Sequence, residues 1–180
     1  MFGNISTLSK LGSFFAPLSN WTMDTKITSD LLESGLGLSG RRKLPRFASQ
    51  TFVQWFKARG GSSPANAKHG DVVLFTDTFT NYNHPELGRA AVKVLEELGF
   101  RVVVPSVRCC GRPMLSKGML EKARRNARHN VARIYPYVER GVKLVGLEPS
   151  CILGFKDDYV DLLDGDQRAR TVEASTMLIE

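Results

Sequence analysis

The sequence predicts an α/β fold with an open parallel sheet and βαβ crossovers, a Rossmann-like three-layer arrangement, and three observations predict it. Short apolar runs of buried-strand length recur at Asp71 to Phe75, Arg101 to Val104 and Val142 to Leu147. Amphipathic helical stretches fill the intervals between them, giving the order strand, helix, strand, helix, strand, whose crossovers are right-handed. Each run also leads into a loop, at Thr76 to Tyr82, Cys109 to Pro113 and Glu148 to Cys151. In such a sheet all three loops fall on the carboxyl edge, where ligands bind.

Residues 1–70 carry Gly, Ser, Pro and isolated aromatics without a sustained period, and read as a basic connector arm with short helices. Within it, Arg46 to Arg59 predicts a helix with Phe52 and Phe56 four apart and Ala48 and Trp55 nearby, an aromatic stripe that would dock on the core. Gly60-Gly61-Ser62-Ser63-Pro64 ends the arm, and residues 71–180 form the α/β domain.

After the first strand, Pro85 suits a first helical position and Glu86 suits its positive dipole end, with His84 as the entry residue. Leu87, Ala91, Leu95 and Leu98 would form the inner face and Gly99 the stop. A long helix follows the second strand, from about Ser116 to Tyr135 or slightly beyond. Leu120, Ala123, Ala127, Val131 and Ile134 would point inward, and Pro136 biases its end. Lys122, Arg124, Arg125, Arg128 and Arg133 would lie outward. Helical segments over about Phe155 to Leu163 and Arg168 to Leu178 complete the chain.

Composition excludes several classes. The 180 residues are 42% hydrophobic and 24% charged, which is globular material. No apolar run reaches membrane-spanning length, and the first twenty residues lack the pattern of a signal peptide. The net charge of +7 is uneven: residues 1–70 hold nine Lys/Arg against three Asp/Glu, whereas residues 71–180 hold sixteen against fifteen. The excess therefore belongs to the arm and its cluster Arg41-Arg42-Lys43-Leu44-Pro45-Arg46, which reads as a solvated basic linker or as a surface for an acidic partner domain, phosphates or anionic lipid. Without a Gly-rich phosphate loop or an aromatic recognition motif, nucleic acid is not an expected partner.

The three cysteines are too few and too spread for a secreted disulfide framework, so a reducing compartment is expected. Cys109 and Cys110 are adjacent, and alpha carbons about 3.8 Å apart are poorly placed to bridge. Metal binding, redox chemistry and plain burial remain open for them. The topology brings Cys151 to the same edge. Glu148 could cap a helix start, pair with Arg108 or Arg112, or join a metal; Asp77 could bond within its loop or reach a metal. His69 and His129 show no ligand spacing.

Phe75, Tyr82-x-x-Pro85, Cys109-Cys110-Gly111, Gly118, Asn126 or Asn130, and Cys151 together resemble the cysteine-rich CCG domain. That domain occurs in heterodisulfide reductase B subunits, glycolate oxidase iron-sulfur subunits and related oxidoreductases. The wording CCGRPMLSKGMLEKAR and VGLEPSC is similar to the iron-sulfur half of FAD-linked 2-hydroxyacid dehydrogenase fusions. The resemblance covers about residues 65–165 and implies an electron-transfer module in an FAD-linked oxidoreductase of the D-lactate, glycolate or D-2-hydroxyglutarate type. It implies Cys109, Cys110 and Cys151 as ligands of an iron-sulfur cluster, or of zinc with Glu148 as fourth ligand, and Gly111 as the residue admitting a bulky cofactor. FAD would sit on a missing partner domain. The implied partners are that flavoprotein, a ferredoxin-type iron-sulfur module and a second CCG domain.

Two departures matter: Thr78 stands where the family pattern has its first cysteine, and Glu148 where its final Cys-x-x-Cys begins. They support an alternative, a non-catalytic docking scaffold with inert cysteines or structural zinc. The chain is expected to be a piece of a longer protein, not catalytic alone, and cytoplasmic or peripheral to the inner face of the membrane.

Overall fold

The computed structural model describes residues 2–23, 25, 34–35, 45–62 and 67–179. Among the described residues a 3-10 turn, Phe2–Asn4, leads into α1, Ile5–Phe14; α2, Ala16–Met23, and α3, Phe52–Ala58, also precede the sheet. The α/β part then runs β1 (Asp71–Phe75), α4 (Thr78–Tyr82), α5 (Pro85–Glu97), β2 (Arg101–Val103), α6 (Arg112–Leu115), α7 (Leu120–Val138) and β3 (Lys143–Gly146). It closes with α8 (Pro149–Ile152), α9 (Gly154–Asp157), α10 (Tyr159–Leu162), α11 (Gln167–Ser175) and β4 (Thr176–Leu178).

The four strands form one sheet in the order β2-β1-β3-β4, with every pairing parallel. Val72 lies opposite Val102 on one side and Lys143 on the other. Because successive side chains in a strand face opposite ways, β1 feeds two cores. Val73 and Phe75 join Ala127, Ile134, Leu144, Phe155 and Tyr159 on one face. Val72 and Leu74 join Phe52, Phe56, Val92, Leu95 and Val102 on the other. The aromatic stripe thus docks on the core, held in register by a capping box at Thr51 and Gln54. Gly88 makes room for it: a Cβ there would stand 2.5 Å from the Phe52 ring.

Several expectations need correction. In α5 the buried residues are Pro85, Gly88, Ala91, Val92 and Leu95, while Leu87 and Leu98 are more than half exposed, because docking against Phe52 rotates the buried stripe toward Gly88 and Val92. In α7 Leu120 is exposed, since it lies at the very start of the helix, and Asn130 takes a buried inward position. Pro136 does not end α7, which runs through it to Val138. Its ring is on the exposed side, so the missing hydrogen bond falls where water can replace it. The loop after β1 contains the short helix α4. The stretch expected as one helix over Phe155 to Leu163 is broken at Asp158, and the last segment ends in a fourth strand. Arg41, Arg42, Lys43 and Leu44 of the basic cluster lie outside the described residues.

Candidate functional site

The chain leaves β1 toward β2 on one side and later places β3 on the other, so the strand order reverses at β1. At such a reversal the loops leaving adjacent strands part in opposite directions and open a crevice. Three segments meet there. After β1, the buried Asp77 caps α4, its Oδ1 accepting the Phe79 and Thr80 amides at 2.9 Å and its Oδ2 the Thr80 hydroxyl at 2.5 Å. After β3, Glu148 caps α8: its Oε2 accepts the Cys151 amide at 2.7 Å and the Ser150 hydroxyl at 2.6 Å. Gly146 brings α8 in close, as a Cβ there would meet Ile152 at 2.7 Å.

The third segment, Ser106 to Cys110, has no regular structure and is held by side chains from α7 and α10. Asn130 is fully buried; its Oδ1 accepts the Arg108 amide at 2.7 Å while its Nδ2 donates to the Arg108 carbonyl at 3.1 Å and the Tyr159 hydroxyl at 2.9 Å. The Tyr159 hydroxyl donates to the Cys110 carbonyl at 3.0 Å. Asn126 Nδ2 donates to the Cys109 carbonyl at 3.1 Å, and His129 Nε2 lies 3.1 Å from the Ser106 carbonyl. Behind them Phe75, Phe155 and Tyr159 pack ring on ring, with centroids 4.9 and 4.3 Å apart. Gly111 follows with φ near +95°, a left-handed turn residue that starts α6 and would place a Cβ 3.5 Å from Ala123.

This scaffold gathers the three cysteines, all free and buried. Cys110 Sγ donates to Cys151 Sγ at 3.1 Å, across 41 residues of sequence. The Cys110 and Thr78 side chains both act on the Cys109 thiol. The Cys110 contact and then burial hold the Cys109 thiol well above the ordinary cysteine range, with the Gly111 amide and Thr78 pulling partly back. For Cys110 the Cys109 contact pulls down, but Cys151 and burial outweigh it and the thiol is also raised. For Cys151 the Cys110 contact pulls down, and burial, Glu148 and the nearby Asp77 charge push further up. The three therefore stand as neutral thiols at neutral pH. Glu148 moves the other way: burial raises its pKa, and the bonds from Ser150 and Cys151 bring it net below the usual carboxylate range.

A resident metal centre can be tested against these donors. Two thiolates bound tetrahedrally to zinc at about 2.3 Å stand about 3.8 Å apart. The 3.1 Å separation of Cys110 and Cys151 is too short to flank such an ion. Glu148 acts as a cap through Oε2, and Asp77 accepts three bonds from its own loop. Among the described residues, no group of three His, Cys, Asp or Glu side chains is placed to hold a metal. As folded, the described donors do not form a complete zinc site, and the three thiols fall short of a four-ligand set.

The structure thus brings Cys109, Cys110, Cys151, Glu148 and Gly111 to one place. Among the roles open to Glu148, it adopts the cap; Arg112 pairs instead with Asp158 at 2.7 Å. His84 is the entry residue of α5, 3.1 Å from Glu86. Residue-level reading missed Tyr159 and the clamp it completes. One signal was present: an asparagine, Asn130, at the inward spacing of an otherwise apolar helix face, since a buried amide demands partners.

Residues 73–156 match the family model described as a cysteine-rich domain, CCG. The chain is 32% identical over 171 residues to one of the subunits of anaerobic glycerol-3-phosphate dehydrogenase from Escherichia coli strain K12, an alignment covering 93% of this chain and 41% of that protein. It is 24% identical over 162 residues to D-2-hydroxyglutarate dehydrogenase of Haemophilus influenzae, covering 87% of this chain and 15% of the relative. Lactate utilization protein A of Anoxybacillus flavithermus is 31% identical over 97 residues, covering 53% of this chain and 39% of the relative. The chain spans less than half the length of these curated relatives. No solved structure matches it.

Proposed function

Because residues 73–156 belong to the cysteine-rich CCG family, we propose that this chain is the electron-transfer module of an FAD-linked oxidoreductase acting on a 2-hydroxyacid of the D-lactate, glycolate or D-2-hydroxyglutarate type. One observation carries the reading: three thiols distant in sequence converge at the strand-order reversal on the sheet's carboxyl edge, with two sulfurs in contact. Relatives named as a D-2-hydroxyglutarate dehydrogenase and a lactate utilization protein support that substrate class, while the relative aligned over 93% of the chain is named for glycerol-3-phosphate and keeps that substrate as the one to test beside it. The flavin belongs to a partner domain or subunit, and a ferredoxin-type module and a second CCG domain complete the assembly. Iron-sulfur binding here requires ligands beyond those that the described residues supply, and such partners are the source to test.

The same reading puts the chain on the cytoplasmic side, peripheral to the membrane. No helix among the described residues is long and apolar enough to cross a membrane. Leu11, Phe14, Phe15, Leu18 and Trp21 are each more than half exposed on α1, its end and α2, in a segment, residues 1–70, whose sequence is net basic. That combination suits the face of an anionic bilayer.

A second reading, a docking scaffold with metal-free thiols, is favoured by Thr78 in place of a thiol and by Glu148 acting as a cap. Metal analysis of the anaerobically purified assembly with its flavoprotein separates the two. Iron, visible-region absorbance and electron transfer that all vanish in a Cys109→Ser, Cys110→Ser variant support the module. No iron, with assembly and electron transfer unchanged in that variant, overturns it in favour of the scaffold.

A further inference from the structure

We propose that Cys110 and Cys151 are a redox modification site, two thiols that close into a reversible disulfide when a small peroxide enters the crevice. This rests on the sulfur contact and not on the flavin-linked reading. The sulfurs already lie 3.1 Å apart, and a disulfide needs about 2.05 Å, a closure within reach of side-chain rotation. The contact also selects the pair. Cys109 is joined to Cys110 by one peptide, which disfavours a bridge between them.

Exposure sets the order of events. Cys109 and Cys151 each retain 8% of their surface and Cys110 2%, so within the contacting pair the oxidant meets Cys151 first. Cys151 first gives its proton to solvent, and the thiolate attacks one peroxide oxygen; the O–O bond breaks and the departing hydroxide takes up a proton as water, leaving a sulfenic acid. Cys110 Sγ then attacks the Cys151 sulfur, the S–O bond breaks, and the hydroxyl leaves with the Cys110 proton as a second water. Two thiols have lost two electrons and one hydrogen peroxide has become two waters. With its resolving sulfur already in contact, the sulfenic acid is consumed before a second peroxide can carry it to sulfinic acid. The product ties the loop after β2 to α8 across β1 and withdraws two of the three sulfurs from any metal. An external dithiol reverses it by exchange.

The test uses the full chain, purified anaerobically in reductant with its metal content measured, then exposed to a slight molar excess of hydrogen peroxide and quenched with iodoacetamide. The expected result is an intact mass lower by two hydrogens, a linkage mapped to Cys110 and Cys151, one alkylated thiol at Cys109, and three alkylatable thiols after dithiothreitol. Cys109→Ser should still form the bridge, while Cys110→Ser should accumulate a dimedone-reactive sulfenic acid at Cys151. Three alkylatable thiols after peroxide, a linkage that includes Cys109, or oxygen addition that dithiothreitol does not reverse would overturn the proposal. The wild-type map decides the matter even where a variant fails to fold.

Discussion

Replacing Tyr159 by phenylalanine removes one hydroxyl from the centre of the clamp and leaves the ring in place. Tyr159 is fully buried between Phe155 and the Cys110 backbone, so the change opens almost no cavity. It leaves two buried groups without their partner: the Cys110 carbonyl and one Asn130 N–H. Each costs about 1–3 kcal/mol when stranded. Asn130 keeps its paired bonds to Arg108, so the lower end applies and the sum is about 2–3 kcal/mol. In a chain of this size each kcal/mol moves Tm by about 2–4 °C, so thermal unfolding should shift down by roughly 4–12 °C. A second readout follows the loop itself. If Cys110 reacts with a thiol reagent through local opening of Ser106 to Cys110, losing about 2 kcal/mol speeds labelling roughly 30-fold. Calorimetry and labelling followed by mass mapping measure both. Wild-type Tm together with wild-type labelling of Cys110 would refute the claim that this hydroxyl holds the cysteine loop.

Gly88→Ala should destabilise by about 1–3 kcal/mol, because the new Cβ would collide with the Phe52 ring, and denaturant titration will show whether α3 is docked as described. Pro136→Ala should raise stability by about 1–3 kcal/mol, since it restores a helix N–H at an exposed position without altering the core; a fall in Tm would contradict the geometry. Stability should also fall at both ends of the pH range. Glu148 has a depressed folded pKa, so its contribution is present above its unfolded value and lost as acid protonates it in the fold; Glu148→Ala should flatten that acid limb and cost about 1 kcal/mol at neutral pH as a lost cap. The thiols have raised folded values, so their contribution is complete below the unfolded thiol pKa and declines above about pH 8.5, and Cys109→Ser should make the alkaline limb shallower in urea titrations.

Sequence by itself determined the sheet class, three of the four strands, the helices between them and the convergence of Cys109, Cys110 and Cys151. It could do so because burial on both faces writes strands as continuous apolar runs, and parallel crossovers force every loop after a strand to one edge. The resemblance to the CCG domain, carried by Cys109-Cys110-Gly111 and Cys151, is likewise legible in one chain and matched by the family model over residues 73–156. Tertiary structure decided the rest. β4 is three residues whose extended form exists only through pairing with β3, and no local pattern separates it from the helix before it. The inner face of α5 turned away from Leu87 because Phe52, more than thirty residues earlier, packs against Gly88. Glu148 became a cap because the Cys151 amide at the start of α8 lies 2.7 Å from its carboxylate. Asn130 and Tyr159 gained their role because buried polar atoms must find partners, and the partners are backbone atoms of a loop that sequence shows only as a gap between elements.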